Sequence, residues 1–151
     1  MKILEFLWFC LTGARKTTTR YLVGLLFAAV GVSHFTDPTP FLAIMPPFIP
    51  WHLAMVYISG LFEILGGLGL IYSRTRHLAA WGLLALLVAV YPANIYMLVN
   101  EIYLEGMPHE KWLLWARMPM QLVFAAGVIW TGEIWFWAKP GTPTQDQEVS
   151  D

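Results

Sequence analysis

One segment limits what this chain can fold into more than any other. Residues 53–73 read LAMVYISGLFEILGGLGLIYS, an apolar run about as long as a helix needs to cross a lipid bilayer. A single carboxylate, Glu63, lies near its middle with small residues on both sides. Burying a carboxylate in such a span costs free energy, so other parts of the chain are expected to supply groups that face it.

The composition of the whole chain indicates a membrane protein. Of its 151 residues, 58% are hydrophobic and 13% are charged, whereas a soluble domain has roughly 45–50% apolar and about 25% charged residues. The length suits four spans with short links, so we predict an all-α integral membrane protein, a four-transmembrane-helix bundle.

The net charge of −1 argues against nucleic-acid binding. Cys10 is the only cysteine, which excludes an intramolecular disulfide and a CxxC redox pair.

Polar and proline-rich links separate the predicted spans, which form one domain over residues 17–138 and lie at about residues 18–35, 53–73, 78–99 and 112–137. Residues 1–16 are predicted to form an amphipathic helix at the membrane interface, and Thr17 or Thr18 would cap the first span. Residues 139–151 are polar and rich in proline, threonine and acids, which predicts a disordered cytoplasmic tail.

Prolines shape one link and two spans. The segment between the first two spans contains five prolines and is otherwise mostly apolar and aromatic. We therefore predict a proline-rich outer loop that either folds back against the membrane face or caps the end of the bundle. Pro92 and Pro119 lie inside the third and fourth spans, where they free the carbonyls of Val88 and Trp115 from their helical partners.

Basic residues near the span ends predict the orientation. They are concentrated before the first span, in the link at 74–77 and after the fourth span, whereas the other two links contain only Lys111 among acids. The positive-inside rule then places both termini and the 74–77 link in the cytoplasm, with the proline-rich loop and the acidic loop at 100–111 outside. We expect a multi-pass protein of the bacterial inner membrane, surrounded by lipid.

With this orientation, every span places polar side chains in the outer half of the membrane. At 1.5 Å per residue, His34 lies near the outer end of the first span and Glu63 roughly 15–18 Å below the outer end of the second. Asn94, Arg117 and Gln121 lie at depths between these two. A charge at a helix centre costs about 2.5–3.5 kcal/mol on insertion scales, which is tolerable when the polar groups face one another or a wet cavity. Glu63 and Arg117 would then either pair directly or be bridged by His34 or water.

Each of these side chains also has a purely structural interpretation. Arg117 could extend to the outer interface as an anchor, and Asn94 could bond a carbonyl freed by proline. Gln121 could join two helices, and His34 could be solvated at the interface. Glu63 is the hardest to explain in this way, because no other charge lies within a turn of it in its own span. Neither HxxxH nor HxxE spacing occurs, so a metal site is not indicated.

Around these positions the sequence resembles the DoxX family of small four-span membrane proteins. The resemblance covers roughly residues 21–129 and rests on six segments in order: GVSHF at 31–35, IMPPFIPW at 44–51, SGLFEILGGLGLI at 59–71, RTRHLAAWGL at 74–83, VYPANIYM at 90–97 and RMPMQ at 117–121. The resemblance implies a four-helix membrane bundle associated with redox systems. Relatives include a subunit of a thiosulfate:quinone oxidoreductase, a partner in a thiol and oxidative-stress defence complex, and more distant assembly helpers. It implies no list of catalytic residues.

Residues and resemblance together suggest a first function, a quinone-linked redox component that could be an oxidoreductase subunit. A cavity between the spans would bind a quinone or a similar apolar ring, whose carbonyl oxygens would accept hydrogen bonds from His34, Asn94 or Arg117. Glu63, disfavoured as a charge by burial, would relay a proton, and His34 is the second catalytic candidate. Gln121 completes the polar binding set, and the ring would be walled by Tyr91, Tyr96, Met97 and Met118.

Two other functions stay open. The chain could be a non-catalytic partner or assembly subunit of a larger membrane complex, docking through its proline-rich loop and through small-residue faces such as the stripe Gly24, Ala28 and Gly31. A small-solute transporter is a weaker alternative, because four spans without a repeat provide little machinery for alternating access. The sequence names no certain cofactor and leaves open both a redox partner protein and a homo-oligomer.

Overall fold

A computed structural model describes residues 2–105 and 108–134, with side chains from residue 16 onward. Within these ranges all regular elements are helices: α1 Lys2–Thr36, α2 Thr39–Ala43, α3 His52–Ile71, α4 Arg76–Val99 and α5 Lys111–Thr131. The prediction of an all-α chain is therefore confirmed for the described residues. Three of the helices, α3, α4 and α5, are long and apolar enough to cross a membrane. The predicted disordered tail at 139–151 lies outside the described residues.

The first helix is longer than the sequence suggested. α1 runs without a break from Lys2 to Thr36, so Thr17 and Thr18 lie inside it and the predicted N-cap is wrong. The physical reason is that threonine in a helix interior costs less than about 0.7 kcal/mol, which the flanking helical residues offset. At 1.5 Å per residue α1 is roughly 50 Å long, more than the ~30 Å of a bilayer core. An interfacial position for residues 1–16 and a membrane crossing by the rest of α1 stay predictions.

The four long helices form a ring in chain order. α1 packs on α3, α3 on α4 and α4 on α5, and α5 closes the ring against α1. Neighbouring helices run antiparallel, because higher residue numbers in one helix contact lower residue numbers in the next. Between α1 and α5, for example, Arg20 contacts Glu133 and Phe27 contacts Phe124. The ring has two ends. We call the end with α2 and with residues 100–105 and 108–110 the outer end, and the end with the 72–75 link and residues 132–134 the inner end.

Glycines set the closest helix contact, which lies between α1 and α3. Gly24 faces Gly67 and, seven residues further along α1, Gly31 faces Gly60. A Cβ added at Gly24 would lie 2.6 Å from the carbonyl oxygen of Gly67, and one at Gly31 would lie 2.6 Å from that of Gly60. The two backbones therefore touch directly, as they do at small-residue interfaces in membranes.

An ion cluster and an apolar core hold the inner half together. Glu133 accepts hydrogen bonds from Arg20 of α1 at 3.2 Å and from Arg76 of α4 at 3.5 Å. Above this cluster the helices pack through a buried apolar core of Phe27, Leu70, Ala80, Leu83, Val128 and Ile134. The cluster ties the chain after α5 to two other helices.

α5 ends at Thr131, whereas the sequence predicted a span to residue 137. Gly132 follows the helix and Glu133 has a φ of 57°, in the left-handed region that stops a helix. The predicted end was too late because the ion pairs of Glu133 with α1 and α4 turn the chain at this point. Residues 135–137 lie outside the described part of the chain.

The glycine contact leads to the first prediction. We expect Gly31→Ala to lower the free energy of unfolding in detergent by about 1–3 kcal/mol, because the new methyl group would lie 2.6 Å from the carbonyl oxygen of Gly60 and 2.9 Å from the backbone nitrogen of Ile64, which cannot move aside as a flexible side chain can. Gly82→Ala is the matched control, since a Cβ there has nothing within 4 Å and alanine favours a helix by up to ~1 kcal/mol over glycine. Equal stability of the two variants would contradict the close α1–α3 contact.

Candidate functional site

A cavity lies beneath α2 at the outer end of the ring. It measures about 160 Å³, and we call it the outer cavity. Each long helix contributes to its polar lining: His34 from α1, Ser59 and Glu63 from α3, Asn94 from α4 and Arg117 from α5. Its remaining walls are apolar and include Phe41, Ile44 and Met45 of the proline-rich segment. Of the two positions predicted for that segment, it takes the one over the end of the bundle.

His34 and Glu63 face each other within this cavity. Nδ1 of His34 lies 3.4 Å from Oε2 of Glu63 and 2.9 Å from the carbonyl oxygen of Val30. Because a carbonyl oxygen can only accept, Nδ1 bears a proton and donates it to Val30. The side chains are only 6% and 12% exposed, and Oε2 of Glu63 has no hydrogen-bond partner. His34 is therefore the group that can offset a charge on Glu63.

The pair has two arrangements with the same number of protons. In one, an imidazole that is protonated only on Nδ1 faces a protonated carboxyl group; in the other, the proton of the carboxyl group has moved to Nε2 of His34, and an imidazolium faces a carboxylate. A lone buried carboxylate costs several kcal/mol, so the charged form of Glu63 requires a cation nearby, and the imidazolium of His34 or the guanidinium of Arg117 in the same cavity can supply it. The pair can thus hold one transferable proton next to a ligand in the outer cavity.

The local sequence explains how the pair is positioned. Gly60 leaves room for His34, since a Cβ added there would lie 2.6 Å from Cβ of His34. Glu63 follows Gly60 by three residues and so lies on the same side of α3. Phe41 stacks on the imidazole from the other side, with ring centroids 3.6 Å apart. The imidazole is thus fixed between a backbone and an aromatic ring.

Arg117 is a partly buried cation that lines the outer cavity. It makes no hydrogen bond or ion pair with any residue in the described ranges, and its guanidinium is more than 4.0 Å from Glu63. Of the two arrangements left open by the sequence, direct Glu63–Arg117 pairing is therefore not formed; His34 contacts Glu63 instead. The outer cavity consequently has a positive charge without a protein counter-ion.

Asn94 and Gln121 join α4 to α5. Nδ2 of Asn94 donates to Oε1 of Gln121 at 2.8 Å, and Nε2 of Gln121 donates to the carbonyl of Leu87 at 2.5 Å. Leu87 directly precedes Val88, whose carbonyl Pro92 frees from its helical partner. The sequence suggested that Asn94 would bond a carbonyl near this proline, but in the structure Gln121 does so. Gln121 lies outside the outer cavity with its amide engaged, whereas Asn94 lines the cavity and keeps its carbonyl oxygen and one N–H available.

The predicted aromatic walls are placed differently. Tyr91 is 39% exposed and lines a separate apolar pocket on the α4–α5 surface, and neither Tyr96 nor Met118 lines the outer cavity. The reason is helix geometry, because each residue turns the side chain by about 100°, so that Val90 and Asn94 face inward and Tyr91 does not. Met97 is fully buried but also lies outside the cavity lining. The structure therefore places none of the four in the outer cavity.

Ser59 and Phe41 are among the lining residues that were not predicted. Ser59 lies four residues before Glu63, so its spacing on α3 could have indicated it. Its hydroxyl donates to the carbonyl of Val56 at 2.8 Å. Phe41 gave no such signal, because its place depends on how the proline-rich segment folds over the bundle.

Coupling between His34 and Glu63 can be measured with a double-mutant cycle. We expect His34→Gln and Glu63→Gln to show an interaction free energy of about 1–3 kcal/mol for unfolding in detergent, as groups in direct buried contact do. The exposed pair Lys111–Glu101, 2.6 Å apart, is the control and should give less than ~0.5 kcal/mol. Equal coupling in the two cycles would show that the buried pair is not an energetic unit.

Comparison with known proteins adds a family. The model of the family described as "Domain of unknown function (DUF8561)" matches residues 23–132, a range that includes the whole outer cavity. Searches of curated proteins and of solved structures found no match. The resemblance to the DoxX family stays a prediction. Since the match extends over more than half of its length, the chain belongs to the DUF8561 family.

Proposed function

We propose that this protein is a quinone-binding component of a membrane redox system, with the quinone ring in the outer cavity. The observation that supports this most is the position of the Arg117 guanidinium and the His34–Glu63 pair around one small cavity with apolar walls. A quinone ring has apolar faces and carbonyl oxygens that only accept hydrogen bonds. It therefore suits a cavity with apolar walls and cationic or protonated donors.

The membrane arrangement is part of the same proposal. α1 contacts α3 from Gly24 to Gly31, so it lies at the same depth as a helix that is long and apolar enough to span. We infer that it is the fourth crossing. Arg20, Arg74 and Arg76 lie at the inner end of the ring, and acidic residues occupy the outer links, which favours cytoplasmic termini in a bacterial inner membrane.

The size of the outer cavity favours a single ring. Pockets for drug-sized ligands measure roughly 300–1,000 Å³, and the outer cavity, at about 160 Å³, is smaller. A cavity of about 150 Å³ can hold one benzene molecule. The ring of a benzoquinone is of this class, whereas larger polycyclic ligands are not.

The residues of the outer cavity suit proton-coupled reduction. Converting a quinone into a quinol takes two electrons and two protons. The electrons would come from a redox partner protein, because this chain has no dithiol. Arg117 and Asn94 would donate hydrogen bonds to the carbonyl oxygens, and the His34–Glu63 pair would pass on each proton and be reloaded from the outer side. After the pair has given up its proton and before it receives another, the charge of Arg117 offsets the carboxylate of Glu63.

The alternatives explain less of the geometry. Transport needs a route across the membrane, yet the inner half below Glu63 is packed with fully buried apolar side chains such as Leu70, Leu83 and Val128. A purely structural docking role gives no reason for an arginine that has no counter-ion among the described residues and that lines the same cavity as a buried carboxyl oxygen without a hydrogen bond.

Quinone retention by Arg117 tests the proposed function. We expect solvent extraction and mass spectrometry of purified protein to find a quinone, and Arg117→Gln to retain at least ~10-fold less, the equivalent of about 1.4 kcal/mol. Arg74→Gln, which removes an exposed arginine at the inner end, should retain the wild-type amount. The proposal fails if the wild-type protein contains no quinone and 2,3-dimethoxy-5-methyl-1,4-benzoquinone does not raise its thermal stability.

Glu63 can be tested separately as the proton donor. Dithionite supplies the electrons, so the reduction of protein-bound quinone can be followed without the partner. We expect Glu63→Gln to slow this step by about 100-fold, the lower end of the contribution of general acid–base catalysis. Quinone affinity should stay within about threefold of the wild type because shape is preserved. Glu101→Gln is the control for an exposed carboxylate. An unchanged rate in Glu63→Gln would assign Glu63 a structural role.

A further inference from the structure

A second hollow adjoins the outer cavity. It is a groove of about 430 Å³ between α4 and α5, and we call it the α4–α5 groove. Three of its wall residues, Val90, Asn94 and Arg117, also line the outer cavity. A smaller hollow of about 100 Å³, which touches Glu63 on one side and Phe124 on the other, borders both spaces. The two spaces are therefore neighbours across a shared wall.

The walls of the groove are mostly apolar, with three polar side chains among them. Asn94, Arg117 and Gln121 are its polar wall residues, and the others are Leu87, Val90, Trp112, Leu113, Ala116, Met120 and Phe124. Side chains from Leu113 to Phe124 recur at helical spacing on one face of α5. Met120 is 48% exposed and Trp112 is 64% exposed, so the groove is open to the surroundings of the bundle.

Other grooves on the bundle lack this continuity. The hollow between α3 and α4 is slightly larger, about 490 Å³, but it shares no lining residue with the outer cavity. The pocket that contains Tyr91 shares none either. Of these three hollows, only the α4–α5 groove shares lining residues with the outer cavity.

We propose that the α4–α5 groove binds the apolar tail of the ligand whose ring occupies the outer cavity. The substrate class is then a tailed quinone, an amphiphile with a single polar ring and an isoprenoid or alkyl chain. This inference rests on the proposed function. The outer cavity has room for a ring alone, so a tail must extend out of it. Arg117 lines both spaces, and its apolar stem could contact the tail while its charged end contacts the ring.

The tail is recognised by shape and not by hydrophobicity. Lipid tails are as apolar as the groove, so a chain gains little from moving out of the bilayer except close packing. A bulky side chain in the groove should therefore displace the tail sterically and leave the ring site intact. Ala116 lines the groove and not the outer cavity, which makes it the position for such a side chain.

The experiment compares two probes and two variants. The probes are 2,3-dimethoxy-5-methyl-1,4-benzoquinone, which has no tail, and the same ring with a decyl tail. Dissociation constants are measured on the purified full chain and expressed per mole of detergent, so that both probes are compared in the same apolar phase. The variants are Ala116→Phe and its matched control Ala125→Phe, which fills the neighbouring pocket that contains Tyr91; Ala125 itself does not line the α4–α5 groove.

We expect Ala116→Phe to weaken binding of the decyl probe at least tenfold and to change binding of the tailless probe less than threefold. Ala125→Phe should change neither. The tail inference is overturned if Ala116→Phe affects both probes equally or neither of them. If wild-type protein binds neither probe, the proposed function fails as well, and binding of dodecanoate in their place would identify an anionic lipid as the occupant.

Discussion

The backbone contact between α1 and α3 places the two groups on which the site depends. Gly31 and Gly60 bring the helices so close that no side chain fits between them. Cβ of His34 then lies where a side chain at position 60 would be, and Glu63 follows one turn later. A wider helix separation would leave the carboxyl group of Glu63 without an ionisable neighbour, at a cost of several kcal/mol for its charged form.

The two ends of the bundle use charge in opposite ways. At the inner end, Glu133 accepts from both Arg20 and Arg76, and this cluster ties the chain after α5 to α1 and α4. At the outer end, Arg117 has no hydrogen-bond or ion-pair partner in the described part of the chain, and it lines the same cavity as a carboxyl oxygen of Glu63 that lacks a hydrogen bond. Unsatisfied polar groups that line a cavity can be satisfied by a bound ligand.

The polar side chains near the outer cavity differ in how many of their hydrogen-bonding atoms are already bonded within the protein. Gln121 uses its amide to bridge Asn94 and the carbonyl of Leu87, which stabilises the α4–α5 pair near Pro92. This bridge fixes Asn94 at the boundary between the outer cavity and the α4–α5 groove. Residues with a structural role thus position those that are available to a ligand.

The sequence by itself determined the helical class, the apolar character of α3, α4 and α5, and the position of each polar side chain along its helix, because the rise per residue of a helix is constant. It also limited the proline-rich segment to two positions, against the membrane face or over the end of the bundle. Only the tertiary structure decided that His34 and not Arg117 contacts Glu63, that Tyr91 faces away, that Phe41 stacks on His34 and that Glu133 ends α5 early. The distance of a residue along its helix follows from its position in the sequence. The rotation of each helix about its axis, and which helices pack against it, depend on packing between distant segments.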